Sequence, residues 1–208
     1  MIYAILTTSL IEDYYDVRKK QYQYGIKINI ENLNKIPNIK IIIVENNGNI
    51  HSFLDDFNHE VIYTDNNFIE TSNKGHKELM DILEVINFKN IKDDDFVIKV
   101  TGRYIIDWQS NFIDSVKELS DNTDCIIKYG SHDDRIKVSR VDDCITGLIG
   151  MRAKFIKQIN RDLDDQCIEW KWARVANNIP DDRIIILNEL GIHVIGLHLP
   201  EPGFNSKK

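Results

Sequence analysis

Five short runs rich in isoleucine and valine constrain this chain more than any other feature. They are Ile2–Leu6, Ile39–Val44, Val61–Tyr63, Phe96–Val100 and Cys125–Ile127. A strand with one wet face alternates apolar and polar residues, whereas a run that is apolar throughout belongs to a sheet covered on both sides. The stretches between the runs supply that cover. Residues 12–24 are polar with a tyrosine and valine stripe, and residues 71–87 set Leu79, Ile82, Leu83 and Ile86 at helical spacing. Strand and helix alternating in this way predict βαβ units around a mainly parallel sheet, an α/β fold.

After about residue 130 the pattern changes. Arg135–Ser139 and Ile145–Met151 read as shorter strands, of the antiparallel kind, around a turn holding Asp142 and Asp143. Helices are expected near 152–160 and 165–178, then strands near 184–187 and 192–196. We expect one domain over 1–199, with 1–130 as its first half and 131–199 as its second. Residues 200–208, with two prolines, a glycine and terminal lysines, read as a tail or a linker into a longer polypeptide.

Composition narrows the partners. The 208 residues carry a net charge of −7, which disfavours nucleic acid, because a phosphate backbone needs a basic surface. A local group of Lys and Arg still suffices for one small phosphorylated ligand. Three cysteines, Cys125, Cys144 and Cys167, form no CxxC pair, and their odd number suits a reducing compartment. The start MIYAILTTSL lacks the basic end of a signal peptide and is too short to span a membrane, so a cytoplasmic setting is expected. Oligomeric state is not legible. The chain contains no GxxxxGK[ST], GxGxxG, HExxH or GxSxG motif, and its six histidines show no zinc spacing.

In an open α/β sheet a ligand sits outside the carboxyl ends of the strands. The first run ends there in Thr7, Thr8 and Ser9, and the second in Glu45, Asn46 and Asn47 before Gly48. The third leads through Thr64–Asn67 to Asn73, Lys74 and Gly75, which open a helix whose N-terminus attracts anions. The fourth ends in Lys99, Thr101, Gly102, Arg103 and Tyr104, where an arginine offers a fork suited to phosphate and a glycine lets a backbone approach a ligand closely.

The order of elements resembles the GT-A glycosyltransferases of the nucleotide-diphosphosugar transferase superfamily. The residues that carry the resemblance are NKGHKEL (73–79), DFVIKVTGRY (95–104), TGLIGMRAKFI (146–156), CIEWKWA (167–173) and LGIHVIG (190–196), and they are similar to a microbial and large-virus subgroup. The resemblance spans most of the chain. It implies a sugar moved from a nucleotide-diphosphate donor to a hydroxyl of a glycan or glycoconjugate. Thr7, Thr8, Ser9, Glu45, Asn46 and Asn47 are then expected around base and ribose. Asn73, Lys74, Lys99, Thr101 and Arg103 are expected toward the diphosphate and donor sugar, with Gly102 giving room. In the second half, Glu169 matches the acidic residue at the start of the acceptor helix and would act as the base if the reaction inverts. Asp165 is its rival, and Trp170 is a candidate to stack on an acceptor sugar.

One departure stands out. Many GT-A enzymes hold a divalent ion through Asp-x-Asp after the fourth strand, but this chain has Val100-Thr101-Gly102-Arg103 there. Asp93–Asp95 lie at the other end of the strand, roughly 16 Å away at about 3.3 Å per residue, and read as a solvated turn. Two ways of neutralising the leaving phosphates stay open. One is metal-independent, through Lys74, Lys99 or Arg103. The other uses Mn²⁺ or Mg²⁺ held by other oxygen ligands, with Asp143 and His198 as candidates. A non-catalytic nucleotide-sugar or glycan binding module and a nucleotidyltransferase are the rival functions.

Overall fold

The computed structural model describes residues 1–48, 51–130, 140–164 and 166–195. The expected strand at 135–139, the rival base Asp165, the metal candidate His198 and the tail from 200 lie outside the described residues. The elements in order are β1 (Ile2–Thr8), α1 (Tyr15–Leu33), β2 (Ile39–Glu45), β3 (Glu60–Tyr63), α2 (Lys74–Phe88), β4 (Phe96–Thr101) and β5 (Tyr104–Ile106). They continue with α3 (Asn111–Lys117), β6 (Cys125–Ile127), β7 (Leu148–Arg152), α4 (Ala153–Ile156), α5 (Ile168–Asn177), β8 (Ile184–Ile186) and β9 (Ile192–Val194).

Among the described residues seven strands form one sheet in the order β3-β2-β1-β4-β7-β6-β8. All run parallel except β7, which is antiparallel to both β4 and β6. The chain builds outward from β1 to β2 and β3, then returns to place β4 on the other side of β1. That reversal is the topological switch point at which open α/β sheets bind ligands. β5 and β9 pair in a small second sheet.

Both faces of the main sheet are covered, as the unbroken apolar runs require. Within β1, Tyr3 and Ile5 pack with Leu79, Ile82 and Ile86 of α2 and with Trp172 of α5 on one face. Ala4 and Leu6 pack with Tyr22 and Ile26 of α1 and with Phe112 and Val116 of α3 on the other. The period-2 geometry of a strand sends neighbours to opposite sides, so each face receives its own core.

Several expectations shift. The first helix runs to Leu33 instead of ending near residue 24, and only Glu12–Tyr14 ahead of it form a single 3₁₀ turn. Its second half hides its apolar stripe because polar residues occupy the buried face. Asn29 donates to the Tyr104 carbonyl at 2.7 Å and accepts from the Ile106 amide at 2.9 Å, and Asn32 donates to the Ile106 carbonyl at 2.7 Å. These amides satisfy an edge of β5 that would otherwise be buried unpaired. The helix expected at 152–160 is one turn, α4, and α5 starts at Ile168. At the amino end of β4, Asp93 pairs with Lys157 at 2.6 Å, so the acidic turn is tied to the segment after α4 and not merely solvated.

Candidate active site

A cleft of about 300 Å³ opens at the carboxyl edge of β1 and β4. Thr7, Thr8 and Ser9 come to it from β1 and the residue beyond, and Asn46 from just after β2. One face of α2 brings Lys74, Glu78 and Asp81, which recur at three- and four-residue steps and so share a side of the helix. Thr101, Arg103 and Tyr104 enter from the β4 end, Thr146 and Gly147 from ahead of β7, and Glu169 from the first turn of α5.

The floor is an ion-paired network. Lys99 is 2 % exposed, and its Nζ lies 2.9 Å from Glu78 Oε2. It also donates to Thr101 Oγ1 at 2.7 Å and to the Thr146 carbonyl. Thr101 Oγ1 donates to Glu78 Oε1 at 2.8 Å, and Thr7 Oγ1 donates to the same oxygen. Lys99 was expected toward the diphosphate, but the structure places it under the floor. A buried ammonium needs an anion, and Glu78 supplies it.

Gly102 and Glu45 also differ from expectation. A Cβ on Gly102 would stand 2.9 Å from the Thr7 carbonyl oxygen and 3.0 Å from the Tyr22 ring. Its amide donates to that Thr7 carbonyl at 2.9 Å. The small residue lets the chain fold back on β1 and Tyr22; it makes room for protein, not for a ligand. Glu45 is fully buried and takes hydrogen bonds from Thr8 Oγ1 (2.6 Å), the Leu10 amide (2.9 Å) and Asn47 Nδ2 (2.7 Å). It braces the loop after β1. Asn47 is committed to Glu45 and to Asn67, whose Nδ2 donates to it at 2.6 Å. Neither Glu45 nor Asn47 lines the cleft.

The remaining cations face inward. Arg103 lines the cleft, and its buried Nε has no hydrogen-bond partner. Lys74 sits at the start of α2, whose N-cap Asn73 accepts from the Gly75 and His76 amides at 3.1 and 3.3 Å. Asn73 Nδ2 also donates to the Gln166 carbonyl at 2.9 Å, tying α2 to the loop before α5. Gly75 permits this junction, because a Cβ there would meet the Ile168 side chain at 2.2 Å. Arg18, which sequence reasoning missed, lines the same cleft from α1 and donates to the Tyr22 hydroxyl at 3.2 Å. Ser9 offers its amide to that hydroxyl at 2.9 Å. Burial pushes the Tyr22 phenol up, with Arg18 and Arg103 pulling against it.

Glu169 also lines the cleft, and it accepts from Thr146 Oγ1 at 3.1 Å and from Cys167 Sγ at 2.6 Å. Trp170, one residue on, is 45 % exposed and turns away from the cleft, while Trp172 is core. Asp81, also missed, accepts from Thr64 Oγ1 (2.6 Å), Asn66 Nδ2 (2.8 Å) and Asn46 Nδ2 (2.9 Å). Burial pushes its carboxyl up to about 7 against the pull of those three donors.

A divalent ion needs carboxylate oxygens free to coordinate it. Glu78 and Asp81 are taken up by protein donors, and Asp143 is exposed outside the cleft. Among the described residues no three His, Cys, Asp or Glu side chains gather in a metal-binding group. These residues do not fit a metal site. Among the described residues no helix is long and apolar enough to cross a membrane.

No protein-family model matches the sequence, and no curated protein matches it. Solved structures do match. TarS of S. aureus (residues 1–349) in complex with UDP-GlcNAc is 13 % identical, with a TM-score of 0.56 over 92 % of this chain and 57 % of that one. The mannosyltransferase PcManGT of Pyrobaculum calidifontis, in complex with GDP-Man and Mn²⁺, is 9 % identical, with a TM-score of 0.54 over 98 % and 58 %. A Bacillus anthracis protein described as a glucose-1-phosphate thymidylyltransferase, in complex with sucrose, is 12 % identical, with a TM-score of 0.54 over 90 % and 86 %. At such identities the likeness concerns the backbone alone, and it shows that this chain has the GT-A-like fold of the nucleotide-diphosphosugar transferases.

Proposed function

We propose that the chain is a glycosyltransferase that moves a sugar from a nucleotide-diphosphate donor to a hydroxyl of a glycan or glycoconjugate acceptor. One observation carries the reading: Arg103, with its unpartnered buried Nε, and Lys74, at a helix N-terminus, line a single cleft at the switch point together with Glu169. An anion entering there meets a guanidinium fork, an ammonium and the positive end of α2. Lys99 adds no free charge, because Glu78 neutralises it.

In this reading Thr8, Ser9 and Asn46 face base and ribose, while Arg103 and Lys74 hold the diphosphate as charge develops on the leaving oxygen. Arg18 joins them from α1. Glu169, its carboxylate oriented by Thr146 and Cys167, takes the proton from the acceptor hydroxyl as that oxygen attacks the anomeric carbon, which inverts it. The bond from that carbon to the diphosphate breaks, and the nucleoside diphosphate leaves. Of the fold neighbours, TarS is in complex with UDP-GlcNAc and PcManGT with GDP-Man, which supports a sugar nucleotide as the ligand class.

The test is hydrolysis and transfer measured over UDP-, GDP-, ADP- and dTDP-sugars, with and without Mn²⁺. Turnover of one donor without metal is the expected result. Turnover only with Mn²⁺ would move charge neutralisation to a metal. Binding without any turnover would favour a non-catalytic module, and release of pyrophosphate from a nucleoside triphosphate and a sugar phosphate would favour a nucleotidyltransferase.

A further inference from the structure

Lys171 is buried on α5, its side chain 2 % exposed, and all three of its N–H donors are engaged. It pairs with Asp164 Oδ1 at 2.7 Å, donates to the Asp162 carbonyl at 2.7 Å and meets His76 Nε2 of α2 at 3.1 Å. An ammonium offers no acceptor, so Nε2 must be the acceptor, and the neutral ring must carry its one proton on Nδ1. That nitrogen is buried and has no hydrogen-bond partner. His76 is fully buried, so the Lys171 contact dictates a tautomer that leaves an N–H unsatisfied.

This contact joins two helices that both reach the cleft. Asp162 and Asp164 belong to the segment ahead of α5, and Asn73 at the cap of α2 grips the same segment through the Gln166 carbonyl. Ile168 seats against Gly75, α2 supplies Lys74 and Glu78 to the cleft, and α5 supplies Glu169. We propose that Lys171 is a positioning residue that fastens the segment ahead of α5 to α2, and that a proton on His76 opens this fastening and loosens the setting of Glu169. The effect on transfer rests on the glycosyltransferase reading above; the fastening itself does not. Protonation puts an N–H on Nε2, which then faces the ammonium with no acceptor between them and two like charges at contact distance. Lys171 loses one of its three bonds, and the tie from the segment to α2 is lost with it.

Burial and then Lys171 hold His76 below its ordinary value, while Asp164 and Asp162 pull it the other way. Lys171 holds the Asp164 carboxyl low, so that group stays charged when the histidine takes a proton. Elsewhere on α5, Glu169 is bonded to Thr146 and Cys167, and Arg174 donates to the Gln166 side chain. On α2 itself Glu78 pairs with Lys99, Lys77 donates to the Asn67 carbonyl, and Lys74 sits on the cleft. A histidine whose folded value is depressed contributes stability that is full above its unfolded value and is lost as pH falls below it. The fastening is therefore closed at neutral pH and opens in mildly acidic solution.

Hydrogen exchange of the peptide spanning residues 160–172, corrected for intrinsic rates and followed from about pH 7.5 to about pH 5, tests the proposal. Loss of a hydrogen bond from a charged donor should speed exchange there by about tenfold at the acid end, while a peptide from the central strand β4 stays protected. His76→Gln keeps an acceptor for Lys171 but cannot take up the charge, so it should remove the acid step. Should that variant fail to fold, Lys171→Met, which takes away the cation, should give fast exchange at every pH with no step. Transfer measured on the same samples ties the fastening to Glu169: at the acid end His76→Gln should retain a larger share of its neutral kcat than the parent does, with KM for the donor unchanged. A parental profile without the step, or a step that survives in His76→Gln, overturns the fastening. A step that disappears while the kcat ratios stay equal overturns its reach to Glu169. Turnover of no sugar nucleotide counts against the glycosyltransferase reading alone, and the exchange profiles still decide the fastening.

Discussion

Removing the charge of Glu78 should destabilise the protein far more than its partial exposure suggests. Glu78→Gln keeps the shape and part of the hydrogen bonding but leaves Lys99 as an ammonium 2 % exposed with no counter-ion. Breaking a buried pair in this way costs about 3–5 kcal/mol. The lower end, about 3 kcal/mol, applies here, because Glu78 is 21 % exposed and Lys99 keeps the Thr101 hydroxyl and the Thr146 carbonyl. For a chain of this size that is a fall of about 6–12 °C in Tm. Lys99→Met in the same background removes the stranded charge, so the double variant should recover about 2 kcal/mol of the loss. Urea unfolding followed by circular dichroism reads both, with the midpoint moving and the slope constant. If Glu78→Gln costs less than about 0.5 kcal/mol and the two changes simply add, Lys99 is not confined beneath the floor. It would then be free to face a ligand, and the division of the cleft cations would be wrong.

Three further outcomes follow from the same geometry. Glu169→Gln should lower kcat for transfer by about 10²–10⁴ while calorimetric donor affinity stays within about twofold; transfer at the parental rate would leave Asp165 or no separate base. Gly25→Ala should destabilise by about 1–3 kcal/mol although alanine is the better helix former, because its Cβ would lie 2.4 Å from the Gly102 carbonyl oxygen. A raised urea midpoint would contradict that packing. Asp81 has a folded-state pKa raised from 3.8 to about 7, so the stability it contributes is full below the unfolded value and is lost as pH rises through about 7. Asp81→Asn lacks that loss, and its stability relative to the parent should improve by up to about 4 kcal/mol from about pH 4 to pH 8; parallel curves would refute the shift.

How much was legible in the sequence depended on which force acts at each position. The apolar runs located the strands of the parallel half because burial on both faces leaves no alternative pattern. The strand ends located Thr7, Thr8, Ser9, Asn46, Lys74 and Arg103 on the cleft because sheet topology alone puts them there. Residues whose role depends on a distant partner were not legible. Lys99 and Glu45 look like ligand-facing charges until Glu78 and Thr8 are seen to occupy them. Glu78 and Asp81 sit within the apolar spacing of α2, where a four-residue step from Lys74 to Glu78 was the only signal. The length of α1 was hidden because Asn29 and Asn32 are buried by hydrogen bonds to β5, not by hydrophobicity. β5 itself has three residues, too few for periodicity to register.

The cleft is expected to grip a diphosphate with Arg103 and Lys74. Titrating the parent, Arg103→Ala and Lys74→Ala with the preferred sugar nucleotide measures this directly. A lost charge-assisted hydrogen bond of about 1.5–3 kcal/mol predicts that Arg103→Ala weakens Kd by about ten- to hundredfold, with Lys74→Ala weakening it less and both effects shrinking at high salt. Parental affinity in both variants, with the fold intact by circular dichroism, would contradict it.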